Sequence, residues 1–128
     1  MWESEGLGNE DMLWASIAFN GGIAGQQEAP CGVVSSATVC LGLRHRCPIN
    51  DKDAAKQARI NARQDAIEFV RSFKEKFGNI TCLGLLGVSF SDEEASRKLR
   101  ESGEQREKCD SYFMYAIEKL YELADKKK

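Results

Sequence analysis

Residues 53–77 read DAAKQARINARQDAIEFVRSFKEKF, a run without Gly or Pro. Ile60, Ile67, Val70, Phe73 and Phe77 fall on one stripe at helical spacing, while Lys56, Arg59, Arg63, Glu68 and Lys74 stay polar. The run is too long for a strand, and it predicts a long central helix ended by Gly78-Asn79. A helix of this length has to bury its apolar stripe against other elements, so the segments on either side decide the architecture.

Upstream, Asn9-Glu10-Asp11 offers a cap and early acids. Leu13, Trp14, Ile17, Ala18 and Gly21 repeat near the helical period, which predicts a short helix to about Asn20, stopped by Gly21-Gly22. A glycine-rich loop follows through Gln27, and Pro30 suits the first position of a second helix carrying Cys31, Val34, Ala37, Thr38 and Leu41. Arg44-His45-Arg46-Cys47-Pro48 reads as a turn, because Pro48 forbids easy helix continuation.

Downstream, Thr81 can cap a short apolar helix over Cys82–Leu86. Ser91-Asp92-Glu93-Glu94 has the form of a capping box and opens a charged segment through Arg100, expected to be exposed and mobile. The last helix, about Glu104 to Asp125, presents Cys109, Tyr112, Phe113, Ala116, Leu120 and Leu123 on one face and ends in Lys126-Lys127-Lys128, favourable for its dipole. Five or six helices with no alternating strand pattern give an all-α fold, a compact multi-helix bundle expected to form one domain over residues 1–128.

Composition narrows the function classes. With 128 residues, 42% hydrophobic and 30% charged, the chain can bury roughly two-thirds of its unfolded surface, so it folds. A net charge of −2 leaves no positive surplus for a phosphate backbone, which argues against nucleic acid as a partner. No apolar run approaches the roughly 20 residues that cross a bilayer, and Met1-Trp2-Glu3-Ser4-Glu5 has no basic, apolar leader character, so no membrane insertion and a cytoplasmic location are expected.

Cysteine is the compositional oddity: five thiols cannot pair completely, and a chain of this size needs no disulfides to hold a core. Cys31, Cys40, Cys47, Cys82 and Cys109 form no CxxC, and His45 is the only imidazole, so zinc-finger, thioredoxin-type and c-haem spacings are absent. Cys31 follows Pro30 and Cys82 follows Thr81, which predicts both thiols in the first turn of a helix, where free N–H groups and the helix dipole favour thiolate. Packing accounts for the same placement, since cysteine is a small hydrophobe often found in cores.

Cys109 lies on an apolar stripe, although Arg106 and Lys108 stand nearby. Cys40 and Cys47 read as structural, and His45 as a polar turn residue. Gly21, Gly22 and Gly25 match neither a dinucleotide loop nor a P-loop and fit tight packing beside the Cys31 helix. The aromatic residues Phe69, Phe73, Phe77, Tyr112 and Phe113 read as core, and the carboxylates as solvated charge.

The order of features is familiar. Phe19-Asn20-Gly21-Gly22-Ile23, Cys31-Gly32-Val33-Val34-Ser35-Ser36, Leu41-Gly42-Leu43, Ile67-Glu68-Phe69 with Phe73, Phe77 through Gly87, and Cys109 together resemble the C_GCAxxG_C_C family of redox-active proteins over nearly the whole chain. By that resemblance Cys31, Cys82 and Cys109 match the family's second, third and fourth cysteines. The first, on an early helix, has no counterpart, and the chain reads as lacking that helix. In the CGAxxG motif Val33 replaces Ala and Ser36 replaces Gly. The resemblance implies a small helical protein whose cysteines exchange electrons, form transient disulfides or hold a metal or iron–sulfur centre.

Two readings follow. In one, the chain is a redox-active cysteine protein using Cys31, Cys82 and Cys109, working by thiol/disulfide exchange or metal-linked electron transfer, with a redox protein as partner and Cys40 as an alternative fourth thiol. In the other it is a noncatalytic helical interaction protein, a homodimer whose cysteines merely pack. Neither identifies a cofactor. A missing early helix is expected to leave apolar surface on the Trp14–Ile17 face and on the Cys31 helix, which self-association would cover.

Overall fold

A computed structural model describes residues 3–127. Six α-helices follow in order: α1 (Asp11–Ser16), α2 (Gly32–Arg44), α3 (Lys52–Phe77), α4 (Cys82–Leu86), α5 (Glu93–Glu101) and α6 (Glu104–Asp125). A 3-10 turn over Ile17–Phe19 continues α1, and no sheet forms among the described residues. The all-α bundle expected from the sequence is therefore present. No helix among the described residues is long and apolar enough to cross a membrane.

The helix ends obey local chemistry. Asp51 caps α3 by accepting from the Ala54 N–H, and Gly78 closes it at φ 82°, a conformation that costs glycine little. Asp92 caps α5 in the same way, and Thr81 caps α4. Cys31 is the N-cap of α2, so that helix starts two residues beyond Pro30.

The main core gathers Val34, Ala37 and Leu41 of α2, Phe69 and Phe73 of α3, Leu85 of α4, and Tyr112, Ala116, Leu120 and Leu123 of α6. Phe77 bridges the aromatic set, its ring centroid 4.8 Å from both Phe73 and Tyr112. A second cluster joins Cys82 and Leu86 to Leu99 of α5, with Val88, Phe90 and Cys109 packed against it.

Three sequence expectations need correction. The buried face of α3 runs through Ala55, Asp65, Phe69 and Phe73, whereas Ile67 is 56% exposed and Ile60 39%. Phe69 and Phe73 anchor the inward face, and the isoleucines fall outside it. On α6 the buried positions 112, 116, 120 and 123 follow the helical period, and Phe113 lies past the edge of that stripe, 55% exposed. The charged α5 segment is not wholly exposed, because Ser96 and Leu99 are buried.

The Trp14–Ile17 face is exposed as expected: α1 buries no residue, and Trp14 and Ile17 are 71% and 64% exposed. The Cys31 helix is not, because α3 and α6 both pack on α2 and leave only Gly42 of its residues exposed.

Candidate functional site

The site begins with an isolated antiparallel bridge between Pro30 and Thr81. The Cys31 N–H donates to the Ile80 carbonyl at 2.6 Å, and the Cys82 N–H donates to the Ala29 carbonyl at 3.4 Å. Successive residues of extended chain point to opposite faces, so Cys31 and Cys82, each one step beyond the bridge, leave it on the same face as diagonal neighbours. The Asn79 carboxamide oxygen accepts from the Ile80 N–H, the Thr81 N–H and the Thr81 hydroxyl, which fixes the approach to α4.

The glycine-rich loop braces this bridge. Gly22 adopts φ +66°, and a Cβ there would stand 2.6 Å from the Ala29 carbonyl oxygen. A Cβ on Gly32 would stand 2.8 Å from the Phe19 carbonyl oxygen, so the end of the 3-10 turn that leads into the loop touches the start of α2 backbone to backbone. The loop is thus the tight packing element expected, and its last residue does more.

Gln27 is only 3% exposed and holds φ +64°, a strained value for a residue with a Cβ. Its Nε2 donates to the Val88 carbonyl at 2.9 Å, its Oε1 accepts from the Phe90 N–H at 2.6 Å, and its backbone carbonyl accepts from the Leu83 N–H. The buried carboxamide therefore ties the loop to the segment after α4, and the backbone carbonyl of the same residue ties it to the first turn of α4.

Burial governs the thiols. It pushes the Cys31 pKa up, and the N–H groups of Val33 and Val34 at the start of α2 offset this only in part. Cys82 is also pushed up, by burial first, while a hydrogen bond with the Gln27 side chain opposes the shift and the charge of Cys31 adds to it. Cys109 is raised by burial, then by the charges of Cys31, Cys82 and Asp110. The expectation of thiolates activated by helix N-termini is therefore not met, because desolvation outweighs the helix-end N–H groups.

The Tyr112 hydroxyl donates to the Leu85 carbonyl at 3.1 Å. Its pKa is raised by burial, then by Cys109, Cys31 and Cys82 in that order. Neither Gln27 nor Tyr112 stood out in the sequence as a site residue. Tyr112 reads there as one aromatic of an apolar stripe, and the Gln27 contacts come from residues far along the chain.

The remaining candidates lie elsewhere. Burial raises the Cys40 thiol in mid-α2. Cys47 lines a cavity of about 270 Å³ with His45, Arg46, Ile49 and Arg59. His45 is more than a turn residue, because its Nε2 stands 2.6 Å from the Asp65 carboxylate, which also accepts from Lys127 at 2.7 Å. Burial opposes charge on Asp65, but the Lys127 and His45 hydrogen bonds prevail and hold its pKa below the ordinary value.

All five cysteines are free thiols. Among the described residues no three His, Cys, Asp or Glu side chains are arranged to hold a metal ion. What the arrangement offers is thiol chemistry: Cys31 and Cys82 are joined through the bridge, and Cys109 packs against the cluster that contains Cys82.

Neither a curated protein nor a solved structure matches the chain. One family model does, over residues 1–123, and its description is "Putative redox-active protein (C_GCAxxG_C_C)". A match of that extent assigns the chain to this family of redox-active proteins.

Proposed function

We propose that the protein is a thiol redox carrier in which two of Cys31, Cys82 and Cys109 convert between dithiol and disulfide. The balanced step is exchange with a partner disulfide. A thiolate of this chain attacks one partner sulfur and releases the other as thiolate. A second thiolate of this chain then attacks the mixed disulfide, so the chain ends oxidised and the partner ends as a dithiol. Two electrons pass to the partner, and the two protons of the chain's thiols are taken up by the partner's.

The observation that supports this reading is the Pro30–Thr81 bridge, which sets Cys31 and Cys82 on one face although they are far apart in sequence. Diagonal neighbours in such a pairing have Cα atoms about 7–8 Å apart, and a disulfide needs less than about 6.8 Å, so closure requires a small inward shift. The Gln27 side chain opposes the upward shift of the Cys82 thiol, and Tyr112 stands near enough to Cys109, Cys31 and Cys82 for their charges to raise its own pKa after burial does. Free thiols throughout suit a reducing compartment, which supports a cytoplasmic location. A redox protein is the partner class, nucleic acid is not, and the exposed Trp14–Ile17 face supports self-association.

Equilibration of the full chain in glutathione redox buffers, followed by mass-spectrometric mapping, tests the assignment. The expected product is one intramolecular disulfide within the set Cys31, Cys82 and Cys109, with Cys40 and Cys47 still alkylatable. Five free thiols under oxidising buffer, or mixed disulfides confined to Cys47, would overturn it.

A further inference from the structure

On α3 the side chains of Arg63, Ala66, Ile67, Val70, Arg71 and Lys74 line an open groove of about 600 Å³. Its floor is apolar and its rim is basic. Ile67 is 56% exposed, and none of the three cations has an ion-pair partner among the described residues. Several other surface cations are paired, as in Lys98–Glu94, Lys108–Glu104 and Lys126–Glu122. A groove of this chemistry fits a short helix that is apolar along one stripe and acidic beside it.

The chain presents such a helix itself. Before Arg44 it contains the acids Glu3, Glu5, Glu10, Asp11 and Glu28 and not one Lys or Arg. Glu10, Leu13, Trp14 and Ile17 recur at helical spacing along α1 and the turn after it, and all four are exposed. Glu10 and Asp11 lack ion-pair partners among the described residues. At 1.5 Å per residue this stripe is about 10 Å long and the groove about 16 Å, so the first fits within the second. Both faces stand open in the same chain, so they do not cover each other within it.

We propose that the α1 face of one copy seats in the α3 groove of a second copy, with Leu13, Trp14 and Ile17 against Ile67 and Val70, and Glu10 and Asp11 against the basic rim. The inference rests on the self-association proposed above and adds to it which faces meet. Reciprocal seating gives a closed two-fold dimer with two identical contacts.

Analytical ultracentrifugation of the full chain and two double variants tests it. Arg63→Glu with Arg71→Glu makes both faces acidic, and Glu10→Lys with Asp11→Lys makes both basic. All four positions are exposed, so the fold is retained, which circular dichroism checks. Each variant alone should self-associate at least about tenfold more weakly than the unaltered chain, and an equimolar mixture of the two should associate again, because each basic face now meets an acidic one. The unaltered dimer should weaken as salt rises.

A chain that stays monomeric at high concentration and low salt overturns both self-association and the proposal, and leaves these faces to other partners. A dimer indifferent to both charge reversals, or a mixture that does not associate, overturns the assigned faces while self-association stands. The thiol reading is unaffected by any of these results.

Discussion

The Cys31 N–H is hydrogen-bonded to the Ile80 carbonyl at 2.6 Å, so the residue that caps α2 is held by the segment that leads into α4. The start of one cysteine-bearing helix thereby fixes the approach to another. On the α2 side this bond is flanked by backbone in close contact, where the tolerance for added atoms is small.

Gly32→Ala tests that tolerance. The new methyl group would meet the Phe19 carbonyl oxygen and the Asn20 Cα, both backbone atoms that cannot rotate away. Overpacking of this kind costs about 1–3 kcal/mol. Urea unfolding should show a lower midpoint with an unchanged slope.

Gln27→Leu removes a carboxamide and leaves the Val88 carbonyl and the Phe90 N–H without their present partners. Each group left unsatisfied in a buried setting costs about 1–3 kcal/mol. The same change removes the hydrogen bond that opposes the upward shift of Cys82, so the Cys82 alkylation profile should move to higher pH. Residue-resolved alkylation, read against Cys40 as an internal reference, separates this shift from a general loosening of the fold.

Cys31, Cys82 and Cys109 all have raised thiol pKa values in the folded state. Their folded forms therefore hold protons that the unfolded chain releases at lower pH. The resulting stability is fully present below the unfolded thiol value of about 8.5 and is lost as pH rises through the folded values. Thermal unfolding should show a falling midpoint above about pH 8.5, and alkylation of these thiols should still be accelerating past pH 9 in the native protein.

Asp65 has the opposite sign. Its folded pKa is depressed, so its contribution is present above the unfolded value of about 3.9 and disappears as pH falls through the folded one. Asp65→Asn should flatten the acid limb of the stability profile below about pH 4 and release His45 and Lys127 from their shared partner. Urea unfolding between pH 2 and pH 6 measures the difference.

Helix positions were legible in the sequence wherever caps and glycines state them: Thr81 before α4 and Gly78 after α3. The inward face of α3 was harder to read. Ile60 and Ile67 outweigh Ala55 in hydrophobicity, but the face turned to α2 and α6 is set by tertiary packing, and it buries Ala55, Asp65, Phe69 and Phe73 instead. The cysteines stood out by type and by their places near helix starts. Their surroundings did not, because Gln27, Leu85 and Tyr112 reach the site through contacts that span the chain. Desolvation of the thiols is likewise a tertiary property, and a capping position alone points in the wrong direction.

Trp14 is 71% exposed, whereas the aromatic side chains clustered in the main core are Phe69, Phe73, Phe77, Tyr112 and Tyr115. In the monomer, emission from Trp14 arises in a watery setting and changes little when the core melts, while the tyrosines carry the optical record of core unfolding. In a Trp2→Phe variant, where Trp14 is the one indole, a blue shift of the indole band on raising protein concentration, with the tyrosine signal constant, would then be a direct optical readout of a second molecule arriving at α1.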